Sequence, residues 1–281
     1  MRAVRFAGVG RPAEIENVPK PTAGPGQILV KIGGAGVCHS DLHVMEEDLG
    51  FKPPFTLGHE NAGWIAELGD GVTGFKEGDA VAVYGPWGCG RCHACQLSME
   101  NYCENWAQIE GFGGGLGLDG GMAEYMLVPA PRLLVPLGDL SPAKAAPLSD
   151  AALTPYHAIK RALPHLNADS TVVVIGVGGL GHMAIQLLRV LAPMRIVAAD
   201  VDDKPSAHTM WSTTVMVPKL RSGYGRLRAH AAPVSCWIVS AWSRRSISAP
   251  HCSGAIRCGR SSDWAEATTT STTAARPTAP Q

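Results

Sequence analysis

Thr171-Val172-Val173-Val174-Ile175-Gly176-Val177-Gly178-Gly179-Leu180-Gly181 is the stretch on which the fold turns. Its five leading residues are all β-branched, an unbroken run of the kind buried on both faces of a parallel sheet. The G-x-G-x-x-G that follows is weak alone, but here it leaves a predicted strand and opens a helix expected over about 179 to 191. Glycines there let the backbone turn tightly and approach a pyrophosphate, whose charge suits the amide donors of a helix N-terminus. Arg195-Ile196-Val197-Ala198-Ala199-Asp200 then supplies a second strand and closes a βαβ unit. Asp200 lies 19 residues after Gly181, and a carboxylate at that strand end accepts from a ribose 2′-hydroxyl and repels a 2′-phosphate, which predicts NAD rather than NADP.

Upstream, a helical pattern covers 151 to 163, and before it the texture changes. Residues 1 to about 150 are rich in Gly and Pro and carry short apolar runs at 28 to 32, 80 to 84 and 125 to 128. Turn signals such as Pro25-Gly26 and Gly69-Asp70-Gly71 separate them, which predicts a compact β barrel or sandwich. The chain therefore reads as α/β with a β-rich first domain.

Inside that domain Cys89, Cys92, Cys95 and Cys103 follow C-x2-C-x2-C-x7-C within a glycine-rich loop. Four thiolates at this spacing match the closed tetrahedral shell of a structural zinc, which pins a loop unable to form its own core. Two disulfides or an iron–sulfur cluster are the alternatives left by spacing. A second cluster is open. Cys38-His39-Ser40-Asp41-Leu42-His43 precedes Gly58-His59-Glu60 by about twenty residues and offers one thiolate and one imidazole, the beginning of a catalytic zinc shell that lacks a third ligand.

Together, Cys38-His39-Ser40-Asp41, Gly58-His59-Glu60 with Gly63 and Gly69, the four-cysteine loop and the later G-x-G-x-x-G resemble the zinc-dependent medium-chain alcohol dehydrogenases over residues 1 to about 203. The resemblance implies a GroES-like β barrel catalytic domain over 1–152 and a truncated Rossmann NAD-binding domain over 153–204. It makes Cys38 and His59 ligands of a catalytic zinc, with Glu60 beside the metal as a supporting or exchanging carboxylate and Asp41 orienting the His59 imidazole. Many relatives place a third Cys ligand where this chain has Asp150, and bacterial secondary-alcohol dehydrogenases share this Cys, His, Asp set. A helix N-cap before Ala151 is the plainer role for Asp150.

The same resemblance matches Ser40 and His43 to a hydroxyl-to-imidazole proton relay linked by the cofactor ribose, and His39 to a pyrophosphate contact. It puts Thr154 near the nicotinamide and Trp87 on the substrate wall, although a buried Trp is as often core. The glycine loop residues Gly176, Gly178, Gly179, Leu180 and Gly181, with Asp200, fall to the cofactor. The implied set is NAD, two zinc ions per chain (one catalytic, one structural), and a small alcohol with its ketone or aldehyde. Relatives are homo-oligomers, dimers or tetramers.

Composition sets limits on partners. The 24 basic and 24 acidic residues leave no net charge to draw the chain onto nucleic acid or acidic membranes. The start, Met1-Arg2-Ala3-Val4-Arg5-Phe6, lacks a secretory apolar core, so a cytoplasmic protein with reduced thiols is expected. The average conceals a split: 1–204 carries −7 and 205–281 carries +7. The tail has two Leu and no Phe, yet four of the seven Trp, and shows no helical or strand period. It reads as a basic disordered arm or as a segment translated out of frame. Met210-Trp211-Ser212, read one base earlier, becomes a residue ending in AT followed by Val-Val, which resembles a buried strand. On that reading nothing in 205–281 completes the six-stranded sheet of the family. The alternative to a dehydrogenase is then a truncated zinc-binding fragment with impaired catalysis, or a non-catalytic zinc module; a zinc-free quinone reductase would lack these ligands.

Overall fold

The computed structural model describes residues 1–200 and the backbone of 214–217, 234–239 and 255–257. The chain divides into two compact units, Met1–Thr154 and Pro155–Gln281. The expected disordered or out-of-frame character of 205–281 otherwise falls outside the described residues.

In the first unit β1 (Arg2–Phe6) pairs antiparallel with β2 (Glu14–Asn17) and β4 (Phe55–Thr56). The larger sheet is built from β3 (Ile28–Gly36), β5 (Glu60–Leu68), β6 (Ala80–Val83), β9 (Tyr125–Val128) and β10 (Leu134–Pro136), in the order β10-β6-β5-β3-β9 and antiparallel throughout. Two-residue strands β7 (Gly113–Gly114) and β8 (Gly117–Leu118) pair beside it. The three apolar runs picked out in the sequence are thus strands. Alternate residues Ile28 and Val30 meet Ile65, Val81, Val83, Met126 and Val128 in one buried cluster, as a sheet with one covered face requires. Hydrogen bonding does not run round into a ring: β10 and β9 remain edges, so the expected barrel is open among the described residues.

Five α-helices are described: α1 (His39–Glu46), α2 (His93–Gln96), α3 (Pro142–Ala145), α4 (Leu153–Ala162) and α5 (Gly179–Leu191). The last occupies the span expected from the sequence. In the second unit β11 (Thr171–Ile175) and β12 (Arg195–Ala199) are parallel, joined by α5. Ala184, Ile185 and Leu188 of α5 pack on Val172, Val174, Ile196 and Ala198, with Ile159 and Ala162 of α4 in the same cluster.

One expectation is corrected here. The tail contributes β13 (Thr214–Val217), β14 (Val234–Val239) and β15 (Ala255–Arg257), all parallel, giving the order β13-β12-β11-β14-β15. Both edges of the β11–β12 pair are therefore covered, where a bare half sheet was expected. Short runs without alternation escape a search for period. The chain moves outward from β11 on one side and resumes on the other at β14, the switch point beside which crevices open at strand carboxyl ends. Among the described residues, no helix is long and apolar enough to cross a membrane.

Candidate active site

Strand register brings the first ligands together. β3 and β5 pair so that Gly36 faces Glu60. Cys38 leaves the end of β3 at the level where His59 enters β5. Gly36 is required there, because a Cβ would collide with the Glu60 side chain. Cys38 is the N-cap of α1, with extended φ −102° and ψ 156°, and the cap is reciprocal. Asp41 Oδ2 accepts from the Cys38 amide at 2.9 Å, while Cys38 Sγ accepts from the Ser40 amide at 3.5 Å. This holds the sulfur at a helix N-terminus, the end that favours negative charge.

Asp41 also serves His59: its Oδ1 lies 3.2 Å from His59 Nδ1, and both residues are buried. On the other side of the ring, Asp150 Oδ2 lies 3.4 Å from His59 Nε2 and 3.6 Å from Cys38 Sγ. The ligand atoms of Cys38, His59 and Asp150 all fall within 4.8 Å of one another. Neither nitrogen of His59, nor Asp41 Oδ1, makes an aligned hydrogen bond. Sulfur, imidazole nitrogen and carboxylate oxygen converging with both ring nitrogens unsatisfied, and one long bond from Cys38 Sγ to Asp150 Oδ2, is a donor arrangement that a borderline-soft cation satisfies. Charge agrees with this. Burial alone pushes the His59 pKa down, but Asp150 and Asp41 outweigh it and carry it up to about 12: the carboxylates around the ring favour a positive charge at this place, which a metal cation supplies while the ligating ring is neutral. Burial would likewise raise Asp150, yet its contact with His59 prevails and keeps it below the usual carboxylate range. The residues fit a zinc ion.

Glu60 is buried and stands apart from the converging atoms. Its Oε1 accepts from the Ala151 amide at 3.0 Å, and burial raises its pKa. Ser40 Oγ lies 3.6 Å from Cys38 Sγ. His39 is exposed, and its ring meets that of His43 edge-on at 5.1 Å. Thr154 donates through Oγ1 to Asp150 Oδ1 at 2.9 Å, a bond the sequence reading did not anticipate. The Asp-x3-Thr spacing at the start of a helix was its available signal. Trp87 is a core residue of the five-stranded sheet, with its indole N–H donated to the Tyr84 carbonyl at 2.9 Å.

The second cluster lies in the same unit. Sγ atoms of Cys89, Cys92, Cys95 and Cys103 fall within 4.8 Å of one another, and all four thiols are free, so the disulfide alternative is not formed. Cys89 Sγ accepts from Asn105 Nδ2 at 3.2 Å, from the Cys92 amide at 3.3 Å and from the Arg91 amide at 3.5 Å. These donors, Asn105 first, hold the Cys89 thiol down at about 5, while burial pushes Cys95 up to about 12. Cys103 Sγ accepts from the Cys89 and Asn105 amides. N–H groups aimed at sulfur are what a thiolate set needs to hold a metal. Arg132 locks the loop from outside, donating to Glu100 at 2.9 Å and to the Trp87 carbonyl at 2.7 Å.

In the second unit Gly176 turns the chain after β11 with φ +85°, its amide bonded to the Ala199 carbonyl at 2.7 Å. Gly178 caps α5 without a side-chain bond, and a Cβ at Gly178 or Gly179 would meet open space, whereas Gly181 is buried in the first turn of the helix. Leu180 opens the helix between them. The arrangement leaves room over the helix N-terminus for a close-approaching phosphate group. Asp200 Oδ2 accepts from the Val177 amide at 2.8 Å, tying the end of β12 to the glycine loop.

Comparisons with known proteins bear on both units. Residues 24–139 match the alcohol dehydrogenase GroES-like domain. A NAD-dependent alcohol dehydrogenase of Sulfurisphaera tokodaii is 42% identical over 215 residues, 73% of this chain and 60% of that protein. The chain thus spans about 60% of the length of that relative. An alcohol dehydrogenase of Geobacillus stearothermophilus is 33% identical over 254 residues, covering 88% of this chain and 72% of its own. Among solved structures, the alcohol dehydrogenase of Aeropyrum pernix superposes with a TM-score of 0.74 at 36% identity, over 86% of this chain and 72% of that one.

Proposed function

Because the chain belongs to the zinc-type medium-chain alcohol dehydrogenases, we propose that it is an oxidoreductase that transfers a hydride between NAD and an alcohol, with secondary alcohols and their ketones as the preferred pair. The observation that carries the reading is the convergence of Cys38 Sγ, His59 Nε2 and Asp150 Oδ2 at one point. Cys38, His59 and Asp150 would hold the catalytic zinc, and Cys89, Cys92, Cys95 and Cys103 a structural one. Zinc bound at the first site supplies Lewis acidity that lowers the pKa of an alcohol oxygen.

The chain's own residues do the rest. Asp41 fixes the ring plane of His59 and the N–H of Cys38, so two ligands keep their aim through one carboxylate. Glu60 anchors the peptide that follows Asp150. Ser40 accepts the alcohol proton as it releases its own toward His43 by way of the cofactor ribose, and His43 gives it up to solvent. In the second unit the amides of Gly178, Gly179, Leu180 and Gly181 bind pyrophosphate, and Asp200 accepts from a ribose hydroxyl. His39 and Thr154 are assigned to the cofactor.

The test combines metal analysis with turnover. The purified chain is expected to hold two zinc ions and to reduce NAD with a simple secondary alcohol, while Asp150→Asn loses the catalytic zinc and keeps the structural one. Full catalytic zinc in Asp150→Asn removes the ligand assignment. Two zinc ions with no turnover favours the zinc-binding fragment.

A further inference from the structure

The site as read uses one oxygen of Asp150, and the structure gives the other a dedicated partner. Thr154 Oγ1 donates to Asp150 Oδ1 at 2.9 Å, leaving Oδ2 toward His59 Nε2 and Cys38 Sγ. We propose that Thr154 is a positioning residue for the metal site: its hydroxyl holds the Asp150 carboxylate in the one rotation that presents a single oxygen to the metal. The inference rests on the reading of Cys38, His59 and Asp150 as a metal site, and adds a residue and a task to it.

Asp150 needs such a hold. Its side chain is 31% exposed against 4% for His59, so water competes for its oxygens as it does not for the buried ring. Its backbone, at φ −138° and ψ −64°, lies outside the helix that begins three residues later, so α4 does not fix it directly. Two bonds compensate on the main chain. Glu60 Oε1 takes the Ala151 amide at 3.0 Å, and the Asp150 carbonyl takes the Thr154 amide at 2.9 Å. Neither restrains the carboxylate; His59 and Cys38 lie against Oδ2, and the hydroxyl of Thr154 holds Oδ1.

The chemistry of the partner matters as much as its place. A hydroxyl in the first turn of a helix commonly bonds back to a main-chain carbonyl. Here the Thr154 amide bonds the Asp150 carbonyl, and the hydroxyl is given to the carboxylate of the same residue. A neutral O–H donor orients a carboxylate while leaving its full negative charge for a cation; a Lys or Arg in the same place would cancel it. Thr154, in the first turn of α4, reaches back to a carboxylate on the non-helical residue that precedes the helix by three positions.

The experiment uses the full chain loaded with zinc and, separately, with cobalt(II), and compares Thr154→Val, Thr154→Ala and Thr154→Ser. Competition with a chromophoric chelator is expected to show metal affinity at the Asp150 site falling roughly 10- to 100-fold in the Val and Ala variants. Affinity at the four-cysteine site stays unchanged, and the Ser variant returns close to wild type. The cobalt(II) ligand-field bands of the Asp150 site change in Thr154→Val and not in Thr154→Ser. Wild-type affinity and an unchanged cobalt spectrum in both the Val and Ala variants overturn the proposal, as does a Ser variant that behaves like Val. A wild-type chain that holds metal only at the four cysteines overturns the underlying site reading as well. A variant that fails to fold loses the four-cysteine metal too, and the Ser variant then decides.

Discussion

Asp41 shows how much of the site depends on single atoms. One oxygen caps the Cys38 amide and the other faces His59 Nδ1, so a single carboxylate touches two proposed ligands that are 21 positions apart in the chain. Asp41→Ala is expected to lower metal affinity at the Cys38 site roughly 10- to 100-fold, the usual effect of removing a partner that aims a ligand; chelator competition measures it, and an unchanged affinity would remove Asp41 from the site. Asp200 is the second residue whose identity has consequences. Its carboxylate ends β12 and is tied to the Val177 amide at 2.8 Å. Asp200→Ala is expected to raise the KM for NAD and to shrink the preference over NADP, read from initial rates with each cofactor. Both aspartates were legible as residues from their motifs. The bonds they make to main-chain amides were not, because a sequence shows the acceptor and not which donor the fold brings to it.

At the level of elements, the glycine loop and α5 were read from the sequence because their signals are local: five β-branched residues, four glycines within six positions, then an apolar stripe. Ile185 and Leu188 lie on that stripe and are fully buried against β11 and β12. Truncating either to Ala is expected to cost ~2–5 kcal/mol, measured by denaturant unfolding. The four-cysteine loop depends on backbone freedom as well as metal. Gly90 has φ +72°, and a Cβ there would meet the Arg132 guanidinium within 3 Å. Gly90→Ala is therefore expected to destabilise the loop by ~1–3 kcal/mol and to weaken its metal site, with thermal unfolding and zinc content as the two readouts. Strands β13 and β14 went unread for the opposite reason. Val234-Ser235-Cys236-Trp237-Ile238-Val239 carries no alternation and sits in a segment of unusual composition, so its place beside β11 is visible only through pairing.

The whole molecule consists of two units with separate apolar clusters. Those around the antiparallel sheets hold both groups of side chains that could bind a metal, and the one around β11, β12 and α5 underlies the glycine loop. Peptide-resolved hydrogen exchange should tell them apart. Stripping metal with a strong chelator is expected to speed exchange across 88 to 106, and adding NAD to slow it across 171 to 200. An identical, uniform change throughout the chain after both additions would contradict this division. The sequence by itself determined the donor types, the cysteine spacing, the glycine fingerprint and the strand and helix that flank it, since each is written in contiguous residues whose chemistry acts locally. The tertiary structure decided which segments meet. Cys38 and His59 become neighbours through the register of β3 and β5, and Asp150 reaches Cys38 from 112 positions away. Strand pairing and chain reversal set those distances, and no local period encodes either.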